Sequence, residues 1–215
     1  MADITATLRG TILEFDGSGF DATRTFNPAV TKVGDDYVML YGGLPFANNI
    51  EIGLATSDDG LTWTKASPLP VISNGSSQSW ASFREVPATL LHEGGLYRLW
   101  FDGSNSNLVS DPGFGTGFGY ATSPDGTHWT WDPDNPVRWE LNSPSGNGFD
   151  LREVVSFGGQ YHAYFFDRNP GGDILYHATS SDGMNFSGET PVGVASGYDL
   201  EAATADRRNR IRCVE

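Results

Sequence analysis

The chain has 215 residues, enough for one well-cored domain, and its hydrophobic fraction of 38% is adequate for such a core. With 13 Lys and Arg against 27 Asp and Glu, the formal charge of −14 repels phosphate, so neither nucleic acid nor an anionic membrane surface is expected as a partner. A single cysteine, Cys213, excludes an intrachain disulfide framework. No basic leader or long apolar run marks a signal peptide or a membrane span, so a cytoplasmic location is the default expectation and a secreted origin stays open.

In chain order, residues 10–15 read as a strand closed by the turn at 16–19. A first unit spans residues 20–66, with extended segments at 20–30, 37–43, 52–57 and 63–65. A second spans 80–137 and repeats that order with 80–91, 96–103 and a hairpin from 118. A third spans 149–190, with 149–157, 161–167 and a hairpin from 174. Residues 197–215 hold part of a fourth unit, in which Asp199 and Glu201 echo the start of the third.

The repeat is clearest in the hairpins. Ala55-Thr56-Ser57-Asp58-Asp59-Gly60 returns as Ala121-Thr122-Ser123-Pro124-Asp125-Gly126 and as Ala178-Thr179-Ser180-Ser181-Asp182-Gly183. In each copy the Asp can bond its own backbone, the Gly accepts a positive φ, and an aromatic residue (Trp63, Trp129 or Phe186) starts the returning strand. The starting alanines lie 66 and 57 residues apart, a spacing that suits a four-stranded sheet better than a helical repeat. No convincing helix of 10 or more residues is present, residues 201–208 being the sole short candidate. The expectation is all-β: one domain over residues 1–215, a β-propeller of four-stranded antiparallel blades with three clear repeats and a partial fourth.

The segments 21–28, 37–42 and 52–63 resemble the repeating unit of the five-bladed β-propeller glycosidases, the superfamily of arabinanases, xylosidases, fructosidases and mannoside phosphorylases. The resemblance runs over roughly residues 10–193. Sialidase Asp boxes are a poorer match, because they separate Asp from Gly where this chain joins them. The glycosidase resemblance implies that the first strand of each blade lines a central cavity and offers carboxylates to a sugar. Glycoside hydrolysis needs two such groups, about 5 Å apart for retention or about 6.5–9.5 Å apart for inversion.

The matching strands offer Glu85, Glu153, Asp150 and Asp21 as candidate catalytic carboxylates. Arg84-Glu85-Val86 and Arg152-Glu153-Val154 look like one motif used twice, with Arg84 and Arg152 holding either a substrate hydroxyl or the neighbouring carboxylate. Many members of the family carry an acid before the first blade's proline. This chain has Asn27-Pro28, with Val86-Pro87 as the apparent equivalent, and an amide cannot act as a base, so Asn27 is a substrate-binding candidate only.

Trp63, Trp129 and Phe186 recur in register and are read as packing between blades. Trp80, Trp100 and Trp139 do not recur, and an indole face can stack on a sugar, which makes Trp100 a candidate substrate contact. His162 lies on a second strand near the expected cavity, and Asp102 and Asp167 end such strands near its rim, Asp102-Gly103 also reading as a turn. The four histidines have no close metal-ligand spacing, and Asp132-Pro133-Asp134-Asn135 lacks the full pattern of a calcium loop, so no metal is expected. Nucleotide, phosphoryl and thiol motifs are missing, and no cofactor is expected.

The functional expectation is a carbohydrate-active protein, a glycoside hydrolase acting on an oligosaccharide or glycan through paired carboxylates in the propeller funnel. The alternative is a non-catalytic glycan-binding or oligomeric scaffold. Five blades at the observed spacing exceed 215 residues, and an open blade edge invites association, so a homo-oligomer that completes or caps the propeller is also expected.

Overall fold

The structure is a computed structural model, and it describes residues 10–46, 49–73, 79–105, 116–139, 149–167 and 173–194. The expected fourth unit at 197–215, with Asp199, Glu201 and Cys213, lies outside the described residues. Among the described residues there is no α-helix, and the architecture is all-β. The first sheet runs β1 (Arg24–Val33), β2 (Asp36–Leu44), β3 (Glu51–Ser57) and β4 (Thr64–Lys65) in sequence order, all antiparallel. The second runs β5 (Arg84–Glu93), β6 (Leu96–Ser104), β7 (Thr116–Ser123) and β8 (Thr130–Trp131), and β9 (Arg138–Trp139) also pairs with β7. The third runs β10 (Phe149–Phe157), β11 (Gln160–Asp167), β12 (Ile174–Ser180) and β13 (Ser187–Val194).

The hairpin turns satisfy themselves. Ser57 Oγ accepts from the Gly60 N–H at 2.8 Å, and Asp59 Oδ1 accepts from the N–H groups of Leu61 and Thr62 at 2.7 and 2.6 Å. The same pattern holds at Ser123 with Asp125 and at Ser180 with Asp182. Gly60, Gly126 and Gly183 have φ of 72°, 80° and 85°, where a Cβ would be strained.

The second blade turns one face to the first blade and the other to the third. Leu40, Ile52 and Leu54 meet Trp80, Leu99, Phe101 and Ala121 between the first two blades. Trp100, Phe118 and Tyr120 meet Ala163, Phe165, Ala178 and Phe186 between the next two. Phe20, Met39, Tyr41 and Ala55, with Trp63 against them, form the corresponding set on the outer face of the first blade. A fully buried large apolar side chain is worth roughly 1.5–3 kcal/mol and a turn hydrogen bond about 1 kcal/mol, so these interfaces carry most of the stability. Trp80 needs two glycines to seat: a Cβ on Gly103 or Gly119 would come within 2.3 or 2.8 Å of its ring.

Three sequence expectations change. Residues 10–15 form no strand; instead Leu13 packs on the outer cluster of the first blade, and its carbonyl accepts from Thr25 Oγ1 at 2.8 Å. Trp129 and Phe186 pack between blades as expected, but Trp63 sits on that outer cluster. Finally, Arg84-Glu85-Val86 and Arg152-Glu153-Val154 are not equivalent. Thr89 pairs with Trp100 as Glu153 pairs with Tyr164, and Val86 pairs with Asp102 as Asp150 pairs with Phe166. The structural counterpart of Glu153 is therefore Thr89, and that of Val86 is Asp150.

The register is set by the β-hairpin glycines. Gly94-Gly95 and Gly158-Gly159 have φ of 61°, 78°, 61° and 79°, and they close the same turn in their blades. Thr89 and Glu153 each stand six residues before the second glycine, whereas Glu85 stands ten before it. All three first strands also carry a bulge at one level, between Phe26 and Ala29, between Pro87 and Thr89, and between Leu151 and Glu153. Asn27 thus matches Pro87 and not Val86, and its φ of 47° belongs to the bulge.

Candidate functional site

The bulge decides which carboxylates share a side. On a regular strand, residues three apart point to opposite faces. In β10 the extra residue at the bulge is Arg152, so Asp150 before it and Glu153 after it face the same way. That side carries Tyr164 and Phe166, the strand partners of Glu153 and Asp150, and from it the two carboxyl groups reach Thr89 and Asp102 of the second blade. Three residues of strand put their backbones roughly 10 Å apart before the bulge shortens the path.

Asp150 Oδ2 accepts from Arg152 Nη2 at 2.8 Å, and the Arg152 guanidinium lies 4.8 Å from the centroid of the Phe166 ring. Behind Asp150 stands Asp102, buried near the end of β6. Burial, and then the charge of Asp150, push the Asp102 carboxyl well above the usual carboxylate range; the Leu151 N–H and Arg84 oppose this without cancelling it. This favours the protonated form of Asp102, which hydrogen-bonds to Asp150 while its Oδ1 accepts from the Leu151 N–H at 2.9 Å.

Glu153 has a different setting. Its Oε1 accepts from Thr89 Oγ1 at 3.0 Å, and the same hydroxyl oxygen accepts from the Val154 N–H at 2.8 Å. Desolvation raises its pKa, against the lowering pull of Thr89 and of the Val154 N–H. The carboxyl borders a cavity of about 580 Å3 that runs along the first strands past Ala29, Thr89 and Leu90 and reaches Tyr37 and Trp63 of the first blade. Two carboxyl groups in contrasting environments on one side of a strand are what general acid and base roles require.

The other candidates fall elsewhere. Glu85 lies on β5 but is 0% exposed, facing the first blade, where its N–H donates to the Ile50 carbonyl at 3.4 Å. It cannot meet a substrate there. Asp21 is not on a first strand but in the short 3-10 turn before β1, where its Oδ2 binds Lys65 Nζ at 2.7 Å and accepts from the Tyr41 hydroxyl at 3.1 Å. Trp100 is 0% exposed and donates its indole N–H to the Gly183 carbonyl at 2.8 Å, so neither ring face is open to a sugar. Trp80 and Asp167 are buried too. Arg84 is half-buried and acts electrostatically on Asp102. Asn27 is exposed at its bulge.

His162 lies off the cavity, on the outer face of the third blade, stacked on His177 with ring centroids 5.2 Å apart. Asp102 is the residue that sequence reasoning underrated. Its place before Gly103 reads as a turn, yet it lies inside the sheet, paired with Val86 on one side and Phe118 on the other. Its in-sheet position after the apolar run Leu99-Trp100-Phe101 is the signal that could have marked it as buried. Among the described residues no group of three or more metal-ligating side chains is gathered.

No family model matches the chain. Two uncharacterized proteins of Mycobacterium tuberculosis, from strains H37Rv and CDC 1551, are each 28% identical to it over 192 residues, 83% of this chain and 58% of theirs. The chain thus spans somewhat under three fifths of the length of these relatives. Among solved structures, a glycoside hydrolase superposes with a TM-score of 0.67 at 19% identity, covering 83% of this chain and 59% of the other. The GH32 β-fructofuranosidase of Bombyx mori gives 0.62 at 16%, covering 80% and 36%. Fructan 1-exohydrolase IIa of Cichorium intybus gives 0.60 at 17%, covering 80% and 33%. The fold is that of the β-propeller glycosidases.

Proposed function

We propose that the protein is carbohydrate-active and hydrolyses a glycan through Asp150 and Glu153. The observation that carries this reading is the bulge at Arg152, which turns both carboxyl groups to one side of β10. Glu153, its pKa raised by desolvation, is the general acid that protonates the leaving oxygen. Asp150, ion-paired to Arg152 and hydrogen-bonded to Asp102, is the carboxylate that activates water or attacks the anomeric carbon. Asp102 is a positioning residue, since its retained proton fixes Asp150 and adds no second negative charge. The chain's fold, shared with glycosidases, supports a sugar as the substrate class.

The test is sugar release from a panel of aryl glycosides and neutral polysaccharides by the parent protein, Asp150→Asn and Glu153→Gln. Turnover by the parent, with a loss of about 100-fold or more in each variant and ligand binding retained, supports the assignment. Turnover should also fall as pH rises through the raised pKa of Glu153. Glycan binding without turnover by the parent would replace hydrolysis with a binding function for the same groups.

A further inference from the structure

We propose that this chain binds a second copy of itself head to tail, the outer face of the third blade seating on the outer face of the first. The reason lies in the two blade interfaces already present. At each, the end of a first strand and the tyrosine near the start of the second strand of the next blade belong to one interface. Val33 and Tyr97 pack on one cluster between the first and second blades. Glu93 accepts from the Tyr161 hydroxyl at 3.0 Å between the second and third.

Among the described residues, the third member of that series is divided between the first and third blades. Phe157 stands in the third blade where Val33 and Glu93 stand in theirs, and it is 75% exposed. Tyr37 stands in the first blade where Tyr97 and Tyr161 stand, and with Ile12, Val30 and Trp63 it lines the far end of the cavity that Glu153 borders, the end that a second copy would cover. Val155 beside Phe157 is 39% exposed, and Val30 at that end is 46% exposed. These surfaces are apolar on a chain of charge −14, and each matches a surface that is covered by a blade elsewhere in the same molecule.

Polar chemistry fits as well. Between the second and third blades, Arg98 donates to the Tyr120 hydroxyl and lies beside Glu93, completing a latch around Tyr161. In the third blade the Arg98 and Tyr120 positions hold His162 and His177. His162 Nε2 lies 3.3 Å from the Phe157 carbonyl, which can only accept, so that nitrogen carries hydrogen. In the neutral ring Nδ1 then accepts from His177 Nε2 at 2.9 Å. With both rings neutral this arrangement leaves His177 Nδ1 as an acceptor, the role that the donating Tyr37 hydroxyl of a second copy would meet.

Such a contact uses different faces on the two copies, so it closes a ring or propagates. The test is sedimentation velocity of the full chain over a micromolar concentration series, with Phe157→Asp and Val30→Asp as exposed variants whose circular dichroism and melting temperature report folding. The parent is expected at twice 23.2 kDa or above, and each variant alone at 23.2 kDa. An equimolar mixture of the two variants should recover a species of two chains, because each keeps the face that the other lacks. Failure of that recovery, or a parent that stays at one chain throughout, overturns the proposal. Phe157 protected from solvent within a single chain would likewise overturn it and assign the face to the chain's own remaining residues.

Discussion

The aspartates at the two ends of the blades live under opposite conditions. At the hairpin end, Asp59, Asp125 and Asp182 are surrounded by backbone and side-chain donors from their own turns, which lower their pKa values, that of Asp59 to about 2. At the inner end, Asp102 is enclosed beside a second carboxylate and its pKa is raised. The first arrangement recurs in all three blades because it is local and specifies the fold. The second occurs once because it depends on a neighbouring blade, and it is costly enough to suggest chemistry as its reason for persisting.

The largest effect expected tests where the two ends meet mechanically. Trp100 of the second blade donates to Gly183 in the hairpin of the third, so Trp100→Ala should cost about 3–5 kcal/mol in denaturant unfolding. Next, Asp150→Asn should lower turnover about 100-fold, equivalent to about 2.7 kcal/mol, with the melting temperature little changed. Asp125→Asn, at the other end, should leave turnover unaltered; equal losses from both would erase the distinction drawn between the two ends.

Gly183→Ala comes third, at about 1–2 kcal/mol for a positive φ, with a further clash because its Cβ would lie 2.9 Å from the Trp100 ring. A smaller effect, of opposite sign, is expected from Asp102→Asn. The folded protein keeps a proton on Asp102 that the unfolded chain loses above about pH 4, so stability falls as pH rises through that window. The amide removes the penalty while keeping an acceptor for the Leu151 N–H and a donor for Asp150. The variant should be more stable than the parent at pH 7, and in thermal melts the difference should shrink as the pH is lowered toward 3. The hairpin aspartates predict the reverse slope. Their contribution is present above about pH 4 and is lost as pH falls toward 2, and replacing Asp59 by Ala should flatten that acid limb in thermal melts.

Sequence by itself determined the blade. The Ser-x-Asp-Gly turns, the aromatic anchors and the alternation of each strand are interactions between residues close in the chain, so their physics is written locally and their order survives in all three copies. Register and burial were decided only in three dimensions. Arg84-Glu85 and Arg152-Glu153 match as letters, but the glycine turns set them at different depths, and the bulge at Arg152 then brought Asp150 to the side of Glu153. Trp100 and Glu85 look like surface chemistry until a neighbouring blade covers them. A bulge changes facing by one residue, and burial depends on strands far away in sequence; neither leaves a local mark, so only the tertiary structure decided which side chains share a side and which are covered.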